Sequence, residues 1–397
     1  MKNLKVLTNT GVNRILELII ENFKDIISVE LVGKHYENSD QLVFFYEYIG
    51  NNADQLQAVA EIAKQISNTE IFLVLDDSYE SLADRELISK LKEIINDCPN
   101  IKQYKIITGN KKLTPICKNI LGIDCVYYFN FHLHCNNFDN LEIQKLDYYN
   151  NTNLREKKFL SLNRHARYHR IKLIDFLIRE KLLPVTYASC PLNEYSYSLN
   201  TLPEKIQHSN NGKTSRVHQY LDKMLNTWQP SEEERRRLLN HLPIELDLDE
   251  VWQERLKPNM PSVEKYFNNS YFSIVTEGYW NEPDTLAYTE KPLKCFAYWH
   301  PFLILGLPYT LDLLHKDGFV TFSSIIDESY DTVEDPNKRF KLVTEEIRRL
   351  NSLNIHELHD AYENILPVLK HNYNTFKLKN KLREPVELIN DFYNWLR

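Results

Sequence analysis

With only 9 glycines in 397 residues, the chain has few positions for backbone loops that wrap a phosphate. No GxGxxG and no GxxxxGK[ST] occurs, so neither a Rossmann dinucleotide fingerprint nor a Walker P-loop is present. Its six cysteines (Cys98, Cys117, Cys125, Cys135, Cys190 and Cys295) form no CxxC and no dense framework, and reduced thiols are expected. No run of about 18 apolar residues exists to span a bilayer. The opening stretch, MKNLKVLTNTGVNRILELII, is too polar for a signal peptide. A cytoplasmic protein with no transmembrane segment is expected, with peripheral attachment to a membrane as the alternative. A basic excess is missing too: the formal charge of −7 makes nucleic acid an unexpected partner.

What is present is a chain long enough for two domains, 43% hydrophobic and 12% aromatic. Its first part alternates strand-like and helix-like segments. Strands are expected at Lys5–Thr8, Gln41–Ile49, Glu70–Leu75, Tyr104–Thr108 and Ile123–Asn130, and helices at Val12–Phe23, Asp54–Ile66 and Leu87–Ile95. Such alternation implies βαβ units and a mostly parallel sheet, which places ligands at the carboxyl ends of its strands. A polar stretch around Asn136–Glu156 marks the expected crossing between domains. Strand character resumes at Lys158–Leu162, followed by a helix over His169–Glu180. Charged pieces such as Ser231–Leu239 read as a helical insertion over about 194–262. The tail reads as helices over Asn337–Leu350, Ile355–Leu378 and Glu384–Leu396. The expected domains are therefore residues 1–150 on the acceptor side and residues 151–380 on the donor side. Residues 381–397 are expected as a C-terminal helix returning to the first domain.

Two stretches carry the chemistry. In the first, Asn269–Phe322, a buried strand ends on Glu277 and a polar loop follows. Thr289-Glu290-Lys291 then opens a helix that runs into the apolar strand Pro301–Leu305 and Gly306. A helix N-terminus offers N–H groups and positive potential. A lysine there adds a point charge for phosphate, and a glutamate accepts hydrogen bonds from vicinal hydroxyls. The second stretch, Phe159–Arg170 (FLSLNRHARYHR), delivers Arg164, Arg167 and Arg170 just past an apolar strand. Between residues 155 and 172 stand seven Lys/Arg against one acid, Glu156. Arginine's planar fork suits phosphate oxygens. Structural readings compete at each point: a solvated basic helix start, an N-cap at Thr289, and a loop acid at Glu277.

The order strand–acid–loop–Thr-Glu-Lys–helix–strand–Gly resembles the donor-binding half of the α1,3-fucosyltransferase-type glycosyltransferases. Their signature is Phe-Glu-Asn at a strand end, then Thr-Glu-Lys, then a Val-Pro-Val-Val-like strand with glycine. The layout is also similar to exostosin-like and other GT-B glycosyltransferases. The similarity covers about a quarter of the chain, Lys158–Arg170 and Asn269–Phe322. It departs at Val275-Thr276-Glu277-Gly278, which lacks the asparagine, and in a longer loop carrying Tyr279 and Trp280. The resemblance implies an α/β fold of two Rossmann-like domains facing across a cleft. It also implies a donor site in which Glu290 holds a ribose, Lys291 the diphosphate, and Arg164, Arg167 or Arg170 the phosphates. Thr289 and Tyr279 are expected beside the donor, Tyr279 and Trp280 as ring-stacking groups. GDP-, UDP- and CMP-linked sugars stay open as co-substrate, GDP-fucose being one candidate, and no other cofactor is expected. The acceptor is a glycan or another hydroxyl compound.

An inverting transfer needs a base for the acceptor hydroxyl. Candidates at strand ends are Glu277, Asp76 and Asp77, with Glu47, His132 and His134 behind them. His132, His134 and Cys135 invite a zinc reading, and Asp247-Leu248-Asp249 a metal–nucleotide one. Neither has a supporting ligand set in sequence, and no metal is expected. Asp327–Asp331 is read as capping the helix that follows. Two other functions remain: a non-catalytic nucleotide- or carbohydrate-binding protein on the same scaffold, and a glycosyltransferase acting on DNA bases.

Overall fold

The computed structural model describes residues 2–8, 27–31, 41–47, 53–66, 70–77, 85–122, 125–127, 153–163, 167–190, 231–242, 244, 246, 261–381, 390 and 394. Two compact units result. Unit 1 takes Met1–Asn136, Glu282–Ala287 and Lys379–Arg397, and unit 2 takes Asn137–Asn281 and Tyr288–Leu378. Each is α/β with a parallel sheet, the fold class expected from the alternating pattern.

Unit 1 is built on six strands: β1 (Lys2–Thr8), β2 (Ile27–Leu31), β3 (Gln41–Glu47), β4 (Glu70–Asp77), β5 (Ile101–Thr108) and β6 (Val126–Tyr127). Their spatial order is β2-β1-β3-β4-β5-β6, every described pair parallel. Helices α1 (Ala53–Gln65), α2 (Arg85–Asp97) and α3 (Leu113–Leu121) supply the crossovers. Their apolar stripes close on the sheet through Ala60, Ala63, Leu91, Ile94, Leu113 and Cys117 against Leu73 and Ile106. Burial on this scale is the main stabilising force of such a layer. The hexapeptide Glu282–Ala287 belongs to this unit because Asn110 holds it. Asn110 Nδ2 donates to Asp284 O and Asn110 Oδ1 accepts from Leu286 N, each at 2.9 Å.

Unit 2 has four parallel strands, β7 (Lys157–Leu162), β8 (Thr186–Ser189), β9 (Ser270–Thr276) and β10 (Phe302–Leu305), ordered β10-β9-β7-β8. All seven residues of β9 and all four of β10 are buried, as strands covered on both faces must be. Helix α4 (Tyr168–Arg179) follows β7. The insertion contributes α5 (Glu232–His241), which starts at a Ser231/Glu234 capping box. Arg237 of α5 reaches Asp175 of α4 at 3.0 Å, so the insertion packs on α4. The remaining helices are α6 (Pro261–Asn268), α7 (Glu290–Ala297), α8 (Thr310–Lys316), α9 (Pro336–Ser352), α10 (Ile355–Asn364) and α11 (Leu366–Lys381).

Several expectations are corrected here. The stretch Ile355–Leu378 is two helices, because Pro367 has no N–H with which to continue α10. Thr321–Ile326, strand-like in its sequence, is a run of turns, held by Glu328, which accepts from Thr321 Oγ1 at 2.7 Å and Phe322 N at 2.6 Å. Asp331 caps the preceding helix α8 through Leu311 N at 3.0 Å, and the following helix α9 is capped by Asp335. Ile27–Leu31, Thr186–Ser189 and the helix Leu113–Leu121 were not expected. Val12–Phe23 and Glu384–Leu396 as helices lie outside the described residues, apart from 390 and 394.

Candidate functional site

In unit 2 the chain goes from β7 outward to β8 and then returns to place β9 on the other side of β7. Strand order therefore reverses between β7 and β9, and open parallel sheets bind ligands at the carboxyl ends of such a pair. The residues picked out in sequence meet at that point.

Beyond β7, Asn163 is buried. Its Oδ1 accepts from Thr276 Oγ1 at 2.6 Å, its Nδ2 donates to Ser161 Oγ at 3.0 Å, and its N–H to Ser189 Oγ at 3.0 Å. One amide thereby ties the ends of β7, β8 and β9. The first turn of α4 then clasps the backbone leaving β9. Arg170 Nη2 donates to the carbonyls of Thr276 at 3.1 Å and Glu277 at 3.2 Å. His169 Nε2 lies 2.9 Å from the Glu277 carbonyl, and Arg167 donates to the Gly278 carbonyl. Because a carbonyl only accepts, His169 carries its proton on Nε2. Burial first, then the neighbouring Arg170, Arg167 and Lys291, push its pKa down to about 3, against the pull of the Glu277 carbonyl. His169 is thus neutral, and its ring stacks on Trp280 with centroids 5.3 Å apart.

Glu277 is 1% exposed, and both its oxygens are engaged. Oε1 accepts from Thr289 N at 2.9 Å, and Oε2 from Thr289 Oγ1 at 2.6 Å and Gly278 N at 3.1 Å. Lys291 Nζ stands 3.6 Å from Oε2 and donates to Thr289 Oγ1 at 2.7 Å. Glu277 thus latches the end of β9 to the start of α7. Thr289, expected beside the donor with an N-cap as the competing reading, stands at the N-cap position but makes no side-chain cap, since its hydroxyl is given to Glu277 instead. Gly306 permits this geometry: a Cβ there would come within 3.3 Å of Glu277 Cβ and Cγ.

The cations divide by availability. Arg170 is 3% exposed and directed at carbonyls, and burial together with Arg167 brings its pKa down to about 10 against Glu277 and Glu290. Arg167 is exposed, and a quarter of the Lys291 side chain is accessible. Glu290, half-buried, has Lys291 at 3.4 Å and Lys294 at 4.0 Å. Burial opposes its charge, but the two lysines, its own backbone N–H and Thr289 outweigh that and hold the carboxyl at about 2. The arrangement is an ionised acceptor beside accessible cations at a helix start, suited to a ligand that has both hydroxyls and anionic oxygens.

Tyr279 is half-buried next to Trp280. Arg164 lies outside the described residues, as do His132, His134, Cys135, Asp247 and Asp249. Among the described residues no group of three or more His, Cys, Asp or Glu could hold a metal ion. Of the base candidates in unit 1, Asp76 is fully buried at the end of β4. Asp77 ends the same strand and Glu47 ends β3, their side chains outside the description. Sequence reasoning missed Asn163 and Arg339. Asn163, directly after an apolar strand, carried a signal; Arg339, in a charged helical stretch, carried none.

No family model and no curated protein matches this chain. Among solved structures it is similar to an α,α-trehalose 6-phosphate synthase from Burkholderia multivorans. The TM-score is 0.37 at 9% identity, over 90% of this chain and 73% of that one. Among the described residues no helix is long and apolar enough to cross a membrane.

Proposed function

We propose that this protein is a glycosyltransferase that takes a nucleotide-activated sugar at the carboxyl end of β9. Arg167, Lys291 and the start of α7 meet the donor's diphosphate, and Glu290 accepts hydrogen bonds from its hydroxyls. Arg170 and His169 do not touch the ligand; they hold the backbone against which it sits. The observation that carries the reading is the convergence of two stretches far apart in sequence, the first turns of α4 and α7, on Glu277 where strand order reverses.

In sugar transfer, negative charge grows on the leaving diphosphate. Fixed cations and helix N–H groups aimed at that charge lower the barrier most where they need no rearrangement. The Glu277 latch provides such fixity, since Lys291 and Thr289 are bound to one buried carboxylate. Glu277 itself has no free oxygen for proton abstraction, so its role in this reading is positional. Asp76 is fully buried, which leaves Asp77 as the candidate for the base, and the transfer proceeds without an obligatory metal.

Thermal-shift screening against CMP, UDP, GDP and their sugars tests the binding, because a ligand specific to the folded state raises the melting point. Stabilisation by at least one nucleotide is expected, and its loss in Lys291→Ala and Glu290→Ala. Stabilisation by none at millimolar concentration overturns the reading. Release of sugar from the donor that stabilises then separates an enzyme from a binding protein. A deep fall in kcat in Asp77→Asn, with folding intact, would identify the base.

A further inference from the structure

Arg339, in the first turn of α9, is 1% exposed and ranks among the largest fully buried side chains of the molecule. It donates through Nε to Gly306 O at 2.9 Å and through Nη2 to Trp280 O at 2.6 Å. Nη1 donates to Val333 O at 2.5 Å and Glu334 O at 3.0 Å. Its guanidinium also lies 4.7 Å from the Trp280 ring centroid. Taking a guanidinium out of water costs several kcal/mol unless its donors are satisfied, and here they knit four backbone carbonyls from three loops.

Two routes run from those carbonyls to Glu277. Gly306 lies directly behind the Glu277 side chain, at the distance where an added Cβ would press on it. Trp280 stacks on His169, whose Nε2 donates to the Glu277 carbonyl. One arginine therefore fixes the side chain and the carbonyl of Glu277 from separate directions. We propose that Arg339 is a positioning residue for the anion site, acting through Gly306 and through the Trp280–His169 stack. The proposal rests on the reading of that site as a nucleotide-sugar site. In consequence α9, which carries no residue predicted to meet the ligand, sets the site's affinity.

The test compares Arg339→Lys with Lys158→Ala. Lys158 holds Asn351 O and Leu353 O, making it a structural control away from the latch. Calorimetric titration with the nucleoside diphosphate that stabilises the wild type is expected to show about a tenfold weaker Kd in Arg339→Lys, the scale on which residues off a site alter it. Lys158→Ala is expected to lower Tm and leave Kd unchanged. Trp280→Phe keeps an apolar ring and is read in the same way should Arg339→Lys fail to fold. Equal Kd in wild type and a folded Arg339→Lys, or in wild type and Trp280→Phe, overturns the proposal. Hydrogen exchange of the Gly278 and Thr289 amides, both bound to the Glu277 carboxylate, gives a readout free of ligand. Faster exchange at those two amides in Arg339→Lys than in Lys158→Ala supports the proposal, and equal exchange rejects it. If the wild type binds no nucleotide, the function fails and the exchange result still decides the role of Arg339.

Discussion

In the sheet of unit 1, β3 ends on Glu47 and β4 on Asp76-Asp77. In the sheet of unit 2, the chain beyond β7 and β9 carries Arg167, His169 and Arg170 on one side, Glu277 and Lys291 on the other. Both sheets are parallel, and both reverse strand order once, between β1 and β3 and between β7 and β9. Architecture alone therefore does not distinguish them; the residues at the strand ends do. Two buried amides of unit 1 serve the chain itself. Asn100 satisfies the carbonyls of Ala63 and Ile66, while Asn110 donates to the Asp284 carbonyl and accepts from the Leu286 N–H. In unit 2 buried polar groups build a latch that leaves two cations accessible beside an ionised acceptor.

The largest test of this contrast removes those cations. Arg167→Ala with Lys291→Ala is expected to abolish nucleotide binding, since each charge-assisted bond contributes about 1.5–3 kcal/mol. The ligand-free melting point should fall as well, because Lys291 faces the buried Glu277 carboxylate and Arg167 binds the Gly278 carbonyl, so each titration is run at a temperature where the variant is folded. The matched change in unit 1, alanine at the exposed Lys102 and Lys118, should leave binding intact. Equal loss in both pairs, measured by titration calorimetry, would erase the distinction between the units.

Next in size is Gly306→Ala. The added Cβ would stand 3.3 Å from Glu277 Cβ and Cγ. Glu277 cannot readily move aside, because Thr289, Gly278 and Lys291 hold its oxygens. The expected cost is about 1–3 kcal/mol in urea unfolding, as for other overpacked sites, with weaker nucleotide binding. A variant as stable as the wild type and equally good at binding would show that the latch has slack.

Acid should also act on unit 2. Burial lowers the pKa of His169 and of His300 to about 3 from an ordinary 6.5. Between those values the unfolded chain binds two protons that the folded one does not. Their stabilisation is complete above pH 6.5 and is lost as pH falls toward 3. Asp331, pushed up to about 6 by burial, works the other way between about pH 4 and 6. Two groups against one leave a net loss on the order of 1 kcal/mol per pH unit over that range, and Glu290, held at about 2, adds to it below about pH 4.5. Chemical unfolding at pH 6, 5 and 4 reads the slope, and His300→Gln should flatten it. A flat wild-type profile would mean that these imidazoles are hydrated.

The long apolar runs of unit 2 made β7, β9, β10, α4 and α7 legible, and the spacing of basic and acidic residues made the site's location legible. What sequence could not give was the division of labour within the site. Arg167 and Arg170 look alike as phosphate ligands, yet α4 approaches the end of β9 so closely that Arg170 binds carbonyls. Thr289 looks like an N-cap until the fold brings Glu277 within 2.6 Å of its hydroxyl. Short elements were equally hidden. The strand Thr186–Ser189 has only four residues, and α3 starts without a side-chain cap and with Pro115 in its first turn. Each becomes regular through neighbours distant in the chain, which local propensity does not encode.

Asn100 gives the smallest expected effect, and its value lies in what should stay constant. Its Nδ2 donates to Ala63 O at 2.9 Å and Ile66 O at 3.1 Å, closing the end of α1, and the residue is buried. Asn100→Ala strips those carbonyls of a donor and should cost about 1 kcal/mol, the usual net contribution of such bonds. Nucleotide affinity should be the same as in the wild type, because the strand ends of unit 2 make none of their described contacts through this residue. If Asn100→Ala weakened nucleotide binding in proportion to stability, so would any destabilising change. The losses expected at Gly306 and Arg339 would then report general loosening of the chain, and the separation of a folding role from a binding role would have to be given up.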